Sequence, residues 1–317
     1  MTLQPGDVIH MVTMGVDGLP YSPDMSFGPE DTLEGEIEQV GALRVPVVME
    51  TRGDWRSLGD ESRSIHPAPA VRSLLAGHGA ALTGPEAWDP EQVRHVWTLF
   101  GNYADVQARE GFKRRRLPRI INAPGDVLGE SGRPLMIPQR ATGLSFGVEL
   151  AFVIARIARE VSIEDAEDHI LGYIALAVMH DQSHRRPVDI PASIQERWMP
   201  TVYARWADGS NVASLPPRPL PESALRGRAM RLELPGVAAI RSSTDEYVTM
   251  STQTLAFLSQ AITLFPGDVV TLGRVSQLIE VGSERPLAPG ARLRAEIEGV
   301  GVVESPLVDQ RCSGEAV

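Results

Sequence analysis

Cysteine is almost missing from this chain: 317 residues hold one, Cys312, in the C-terminal stretch CSGEAV. A single thiol there leaves no intrachain disulfide, no multi-cysteine zinc site and no thiol catalysis, and it fits a reducing cytoplasm. Long apolar runs are missing as well. No segment approaches the roughly 20 apolar residues that span a bilayer. The start, MTLQPGDVIHMV, lacks a basic region followed by a long apolar one. The expectation is a soluble, unexported, cytoplasmic protein with no membrane partner. Positive charge is in short supply, 30 Lys and Arg against 41 Asp and Glu, a net charge of −11. Nucleic acid and anionic membrane need clustered cations, so neither is an expected partner. The one basic cluster, Lys113-Arg114-Arg115-Arg116, is short and reads as a solvated loop, with an anion contact as the alternative.

What is present is enough apolar material for a full core, 43% of residues, patterned mainly for strands. Residues 1–92 are rich in Gly and Pro and read as a small N-terminal domain, with a helix over 68–77 and a turn cluster, GPEAWDPE, before the apolar run VRHVWTLFGNYA. Residues 93–311 read as the main domain and 312–317 as a flexible tail. Within the main domain, VELAFVIARI has the β-branched and aromatic content of a buried strand. Ser162 and Asp165 make a helix-start signature ahead of IEDAEDHIL, and GYIALAVMH is a second strand. That strand ends at His180-Asp181-Gln182-Ser183-His184-Arg185-Arg186, a polar string at a strand end and so a candidate site rim. AMRLELPGVAAI reads as a hairpin and STQTLAFLSQAIT as a helix with Ser251 near its N-cap. FPGDVVTLG and LAPGARLRAEIEGVGVVES read as strands opened by Pro-Gly turns, and residues 209–222, GSNVASLPPRPLPE, as a Pro-rich surface loop. The fold class is α+β, mainly β.

Familiar cofactor and nucleophile signatures do not occur. GDVLGESG is not a phosphate loop, no Gly-x-Ser-x-Gly is present, and His10, His66, His78, His95 and His169 lack metal-ligand spacing. The residue that asks for chemistry is Glu149, a carboxylate inside the apolar run SFGVELAFVIA. A buried carboxylate without a partner is costly. Three readings stay open: a structural charge paired with a nearby Arg, a metal ligand, or an acid–base group that works without metal.

In order and spacing, GNYADVQAREG, GRPLMIP, VELAFVIARIAREVSIEDAEDHILGYIALAVMHDQS, LFPGDVVTLG and LAPGARLRAEIEGVG resemble the fumarylacetoacetate hydrolase (fumarylacetoacetase) superfamily, from about residue 93 to 309. The resemblance implies a mixed β-roll, a homodimer and a site at strand ends. It implies chemistry on 2-oxo acids, β-diketones and their enols, through an enolate stabilised by Mg²⁺ or Mn²⁺ on three carboxylates.

The site carries over only in part. Of the family's Glu-x-Glu pair, the second member falls on Glu149 and the first on Gly147; the Asp of its Asn-Asp-x-Ser segment falls on Asp181, with His180 in place of Asn. Glu149 and Asp181 remain as candidate metal ligands, for a weakly bound Mg²⁺ or Mn²⁺ or for none. Glu149, Asp181 and His180 are the candidate acid–base residues, and His184 reads as a surface residue. Gly147 is expected to leave space for a larger substrate or a water. The family's water-activating His and Glu fall on Val106 and Arg109, and valine carries no proton to transfer; Glu110 points elsewhere on the helix. A family lysine corresponds to Arg205, and the Thr-Gly-Thr-Pro turn is replaced by TLGRV, with Arg274 at the second threonine. Arg205, Arg274, Arg109 and Tyr103 are the candidate substrate contacts, Tyr103 and Asn102 also reading as structural residues of the strand-to-helix turn. The implied function is a diverged enzyme for a small or medium carbonyl or enol substrate. Its chemistry would be proton transfer (isomerisation, decarboxylation, elimination or cyclisation), in a setting of specialised metabolism. The alternatives are a metal-dependent C–C hydrolase of the usual type and a catalytically silent member that binds a ligand or stabilises a partner.

Overall fold

The structure, a computed structural model, describes residues 31–37, 41–46, 80–109, 119–183, 201–275, 278–282, 287–288 and 290–312. The chain divides into two compact units, Leu3–Ser73 and a larger one of Leu74–Val317 with Met1–Thr2. The division falls earlier than the boundary expected near 92, because residues 80–92 are bonded into the larger unit. The Leu82 N–H donates to the Ala155 carbonyl at 2.8 Å and the Trp88 indole to the Gly267 carbonyl at 3.1 Å. Trp88 and Val93 are buried together with Val96, Val153 and Val269. The described part of the smaller unit is an antiparallel hairpin of β1 (Thr32–Ile37) and β2 (Gly41–Pro46), with Glu34 opposite Arg44 and ion-paired to it. The helix expected over 68–77 and the Lys113–Arg116 cluster lie outside the described residues.

In the larger unit the chain runs through β3 (His95–Phe100), helix α1 (Ala104–Arg109), β4 (Arg119–Pro124), β5 (Leu128–Glu130), β6 (Leu135–Ile137), β7 (Gly143–Ile154), β8 (Ile170–Asp181) and β9 (Asn211–Ala213). It continues through β10 (Ala229–Glu233), β11 (Ile240–Ser243), helix α2 (Ser251–Ala261), β12 (Val269–Arg274), β13 (Ile279–Gly282), β14 (Arg292–Ile297) and β15 (Gly301–Asp309). One sheet runs β4-β3-β12-β7-β8-β9-β5, with β13 also on β7; a second runs β11-β10-β14-β15-β6. The long strands β7 and β8 are buried at nearly every position because both faces of their sheet are covered. Leu144, Phe146, Leu150 and Phe152 face one apolar cluster, while Ala151 and Val153 face a second with Ile174, Leu176 and Val178. Among the described residues no helix is long and apolar enough to cross a membrane.

Two local expectations change. Asn211–Ala213, placed in a surface loop by its neighbouring prolines, is a buried strand between β8 and β5. The start signature at Ser162 and Asp165 is made, the Ser162 hydroxyl donating to Asp165 at 2.8 Å, but it opens a short 3₁₀ turn, Ala166–His169. Helix α2 starts at Ser251, beside its N-cap Met250, as expected. The cap bonds come from the Glu222 carboxylate, which accepts from the Ser251 hydroxyl and from the Thr252 N–H at 2.7 Å. Cys312 closes a 3₁₀ turn, Gln310–Cys312; the rest of the expected tail, 313–317, is outside the described residues.

One irregularity positions the site. Thr271 pairs with Ala151 but Arg274 pairs with Glu149, so β12 carries one residue more than β7 over that stretch, a β-bulge. Gly273 sits in it at φ +86°, and a methyl group there would overlap the Leu99 carbonyl. The bulge removes ladder partners, and side chains replace them. Tyr247 accepts from the Leu150 N–H at 3.0 Å and donates to the Gly273 carbonyl at 3.1 Å, while Asn102 donates to the Leu272 carbonyl at 3.1 Å. Gly273→Ala is expected to lower stability by more than about 1 kcal/mol, since it adds both φ strain and a backbone clash. A urea melt checks this: the midpoint falls at unchanged slope, and an unchanged midpoint contradicts it.

Candidate active site

Register decides which side chains meet. Across β7 and β8, Ser145 pairs with His180, Gly147 with Val178, Glu149 with Leu176 and Leu144 with Asp181. Directly opposed residues share a face and alternate residues along a strand return to it. One face therefore carries Ser145, Gly147 and Glu149 from β7, Val178 and His180 from β8, and Thr271 from β12. Asp181 lies on the other face.

Glu149 is fully buried, at 0% exposure, and both its oxygens are engaged. Oε1 accepts from Arg205 Nη2 at 2.7 Å and Oε2 accepts from the Thr271 hydroxyl. Thr271 Oγ1 in turn accepts from the Gly273 N–H at 3.0 Å, so the bulge fixes the direction in which the hydroxyl donates. Arg205, 3% exposed, comes from a pinned turn. Its own N–H donates to the Val202 carbonyl, and the Ala204 carbonyl accepts from the Asp181 N–H, each at 3.1 Å. Arg274, half-buried, stands directly opposite Glu149 on β12, a position that sets the two Cβ atoms about 5 Å apart.

The three-carboxylate metal set implied by the resemblance does not fit these residues. A Cβ at Gly147 would lie 3.0 Å from Leu278 Cδ2 and 3.3 Å from Val178 Cγ2, so the space expected there is filled by two aliphatic side chains. The residue facing Gly147 on the same side of the sheet is Val178, which offers no metal-binding atom. Asp181 is five strand positions from the level of Glu149, about 17 Å at ~3.4 Å per residue, and on the opposite face. Its Oδ1 accepts from the Ser183 N–H at 2.8 Å and from the Ser183 hydroxyl, closing the strand end. Glu149 and Asp181 thus do not share an ion, and the described residues hold no group of three or more His, Cys, Asp or Glu side chains suited to one.

The other candidates divide. His180 is buried on the Glu149 face, but four positions further along the strand, about 14 Å, so the two do not meet directly. Tyr103, read both as a substrate contact and as a structural residue of the turn, is core: it is fully buried, its ring meets Tyr247 edge-on at 4.5 Å, and its hydroxyl lies 3.3 Å from the Ser243 carbonyl, to which it donates. Burial pushes the hydroxyls of Tyr103, Tyr173 and Tyr247 well above the ordinary tyrosine range. Asn102 is structural, as the turn suggested, its amide joining Thr249 and Leu272. Val106 is in the core. The side chains of Arg109 and Glu110, and residues His184, Arg185 and Arg186, lie outside the described set. Thr271 and Tyr247 were missed; the sequence signal for Thr271 was a lone hydroxyl in VVTLG, meaningful only once the β7–β12 register is known.

Two measurements follow. Removing one partner of a buried ion pair leaves an uncompensated charge, so Arg205→Met is expected to destabilise by about 3–5 kcal/mol. The double variant Glu149→Leu/Arg205→Met should recover much of that loss, and a cycle in which the effects simply add would contradict the pairing. Second, a group whose pKa is raised by folding stabilises below its unfolded value, near pH 10 for tyrosine, and that contribution is lost as pH rises above it. Three of the five tyrosines should stay protonated past pH 10 and ionise only as the chain unfolds; phenolate absorbance for all five at ordinary pH would contradict the core assignment.

Comparison with known proteins agrees with this architecture. An oxaloacetate tautomerase of Xenopus laevis is 26% identical over 243 residues, 74% of this chain and 70% of that one. The homoprotocatechuate catabolism bifunctional isomerase/decarboxylase of Escherichia coli is 29% identical over 196 residues, 61% of this chain and 40% of that one. Among solved structures, fumarylpyruvate hydrolase of Pseudomonas aeruginosa, in complex with Mn²⁺ and pyruvate, superposes with a TM-score of 0.55 at 24% identity, covering 69% of this chain and 91% of that one. The family model described as fumarylacetoacetate (FAA) hydrolase C-terminal matches residues 95–308. With that match spanning two thirds of its length, the chain belongs to the fumarylacetoacetate hydrolase family.

Proposed function

We propose that this chain is an enzyme of proton transfer on a small or medium anionic carbonyl or enol compound, such as a 2-oxo acid or β-diketone, acting by tautomerisation, isomerisation, decarboxylation, elimination or cyclisation. The observation that carries this reading is the Glu149 carboxylate fixed between Arg205 and Thr271 with Arg274 opposite. A buried ion pair adds little net stability over apolar residues of the same volume, so its presence calls for another use. A carboxylate offers about four lone-pair positions, and two of those on Glu149 are taken, which leaves capacity to accept a proton from carbon. The guanidinium forks of Arg205 and Arg274 suit the carboxylate and enol oxygens of such a substrate. His180, on the same face, is a second proton carrier at the strand end.

Isomerisation, decarboxylation and tautomerisation, the activities in the names of the E. coli and Xenopus relatives, all move protons at carbon. Hydrolysis is less suited: Val106, where the resemblance puts a water-activating histidine, has no transferable proton and lies in the core. A second reading, a silent ligand-binding member, is favoured by one observation, the aliphatic packing of Leu278 and Val178 at Gly147.

Deuterium exchange at carbon separates the two. With a panel of 2-oxo acids and β-diketones in D₂O, at least one should exchange faster with the protein than in buffer. Glu149→Gln should slow that exchange by about 10²–10⁴-fold. No exchange across the panel leaves the silent reading in place, and exchange at full rate in Glu149→Gln removes that carboxylate from the chemistry.

A further inference from the structure

We infer that the cleft beside the turn at Phe265–Gly267, which opens β12, is a second ligand site, and that it takes a small zwitterion. The ligand carries one carboxylate, one ammonium and a compact apolar part, the chemistry of an aliphatic α-amino acid. Nothing in this inference draws on the Glu149 face, so either reading can fail without the other.

The cleft is open space of about 160 Å³, with Trp88, Asp89, Gln92, Arg94, Phe265 and Pro266 in its lining. Pockets for drug-sized ligands run to ~300–1,000 Å³, so the occupant is a small molecule. The walls are held by bonds already in the fold. The Trp88 indole donates to the Gly267 carbonyl at 3.1 Å, and the Phe265 N–H donates to the Asp268 carboxylate at 2.9 Å. The Arg94 carbonyl accepts from the Gly125 N–H at 3.1 Å, which pins the chain where it enters β3. Walls fixed in advance lower the ordering cost of binding.

Two opposite charges stand in this lining, and they are not paired with each other. The Arg94 guanidinium lies over the Phe265 ring, 5.7 Å from its centroid, and among the described residues it makes no ion pair. Its five N–H groups form a fork that suits a carboxylate. The Asp89 carboxylate accepts from the Glu91 N–H and from the Gln92 amide, each at 2.9 Å. Of its about four lone-pair positions, two are left to accept from an ammonium. Glu91, the next acid in the chain, is paired with Arg133 instead. With Asp89 at −1 and Arg94 at +1 the lining is formally neutral, so it favours a molecule bearing both charges over a simple anion or cation. Trp88 and Pro266 offer apolar surface to the rest of the ligand.

The test is a titration of the isotope-labelled full chain with L-valine, followed by proton–nitrogen NMR at the Trp88 indole N–H. That signal is the one of the five tryptophans lost in Trp88→Phe. A saturable shift at millimolar ligand is expected, the weak range following from the exposure of Asp89 and Arg94. Isovalerate, which lacks the ammonium, and valinamide, which lacks the carboxylate, should each bind at least tenfold more weakly. Arg94→Gln and Asp89→Asn should each weaken L-valine binding by a similar factor. Neither variant is expected to disturb the fold: Arg94 gives up no ion pair, and asparagine keeps the cap bond of the Pro90–Gln92 turn. The absence of a saturable shift, an unchanged affinity in either variant, or isovalerate or valinamide binding as tightly as L-valine would each overturn the inference.

Discussion

A carboxylate with no exposure to water cannot stay charged unless protein groups replace its hydration. That constraint at Glu149 organises much of the surrounding structure. Arg205 meets one oxygen and Thr271 the other, Thr271 is aimed by the Gly273 N–H, and Gly273 adopts its left-handed backbone because β12 bulges against β7. The bulge in turn needs Tyr247 and Asn102 to satisfy the backbone groups that lost their ladder bonds. Tyr103 supports Tyr247 from behind. A chain of dependence therefore runs from one ionised side chain to the strand-to-helix turn at Asn102-Tyr103.

That dependence explains what could and could not be read in the sequence. Strand content, the hairpin at residues 229–240 and the helix from Ser251 were legible because period and turn chemistry are local properties. The pairing of Glu149 with an arginine was one of the open readings, and the arginine is Arg205. Asp181 looked like a partner because the resemblance puts the family's Asn-Asp-x-Ser segment on it, in a polar string at a strand end. Yet a single position decides which face a strand residue takes, and Leu144, not a residue of the Glu149 face, opposes it. The space expected at Gly147 was likewise a non-local matter: Leu278, 131 positions later in the chain, fills it. Tyr103, whose structural reading came from the turn beside it, serves the core through its contact with Tyr247.

Within the fumarylacetoacetate hydrolase fold, then, β7 holds Glu149 in an ion pair with Arg205, which enters from the turn between β8 and β9. A divalent ion brings concentrated charge and needs several anionic ligands, whereas a guanidinium brings one delocalised charge with fixed donors and needs a single carboxylate to hold it. The pairing of Glu149 with Arg205 and the core placement of Val106 are the observations on which the proton-transfer proposal rests.

The most direct measurement is a crystal structure of the protein grown with Mn²⁺ and a 2-oxo acid, with data collected at the manganese absorption edge. The account predicts the ligand's carboxylate on Arg205 and Arg274, Arg205 still bonded to Glu149, and no anomalous peak on that face. A manganese peak ligated by Glu149, with Arg205 displaced from it, would contradict it.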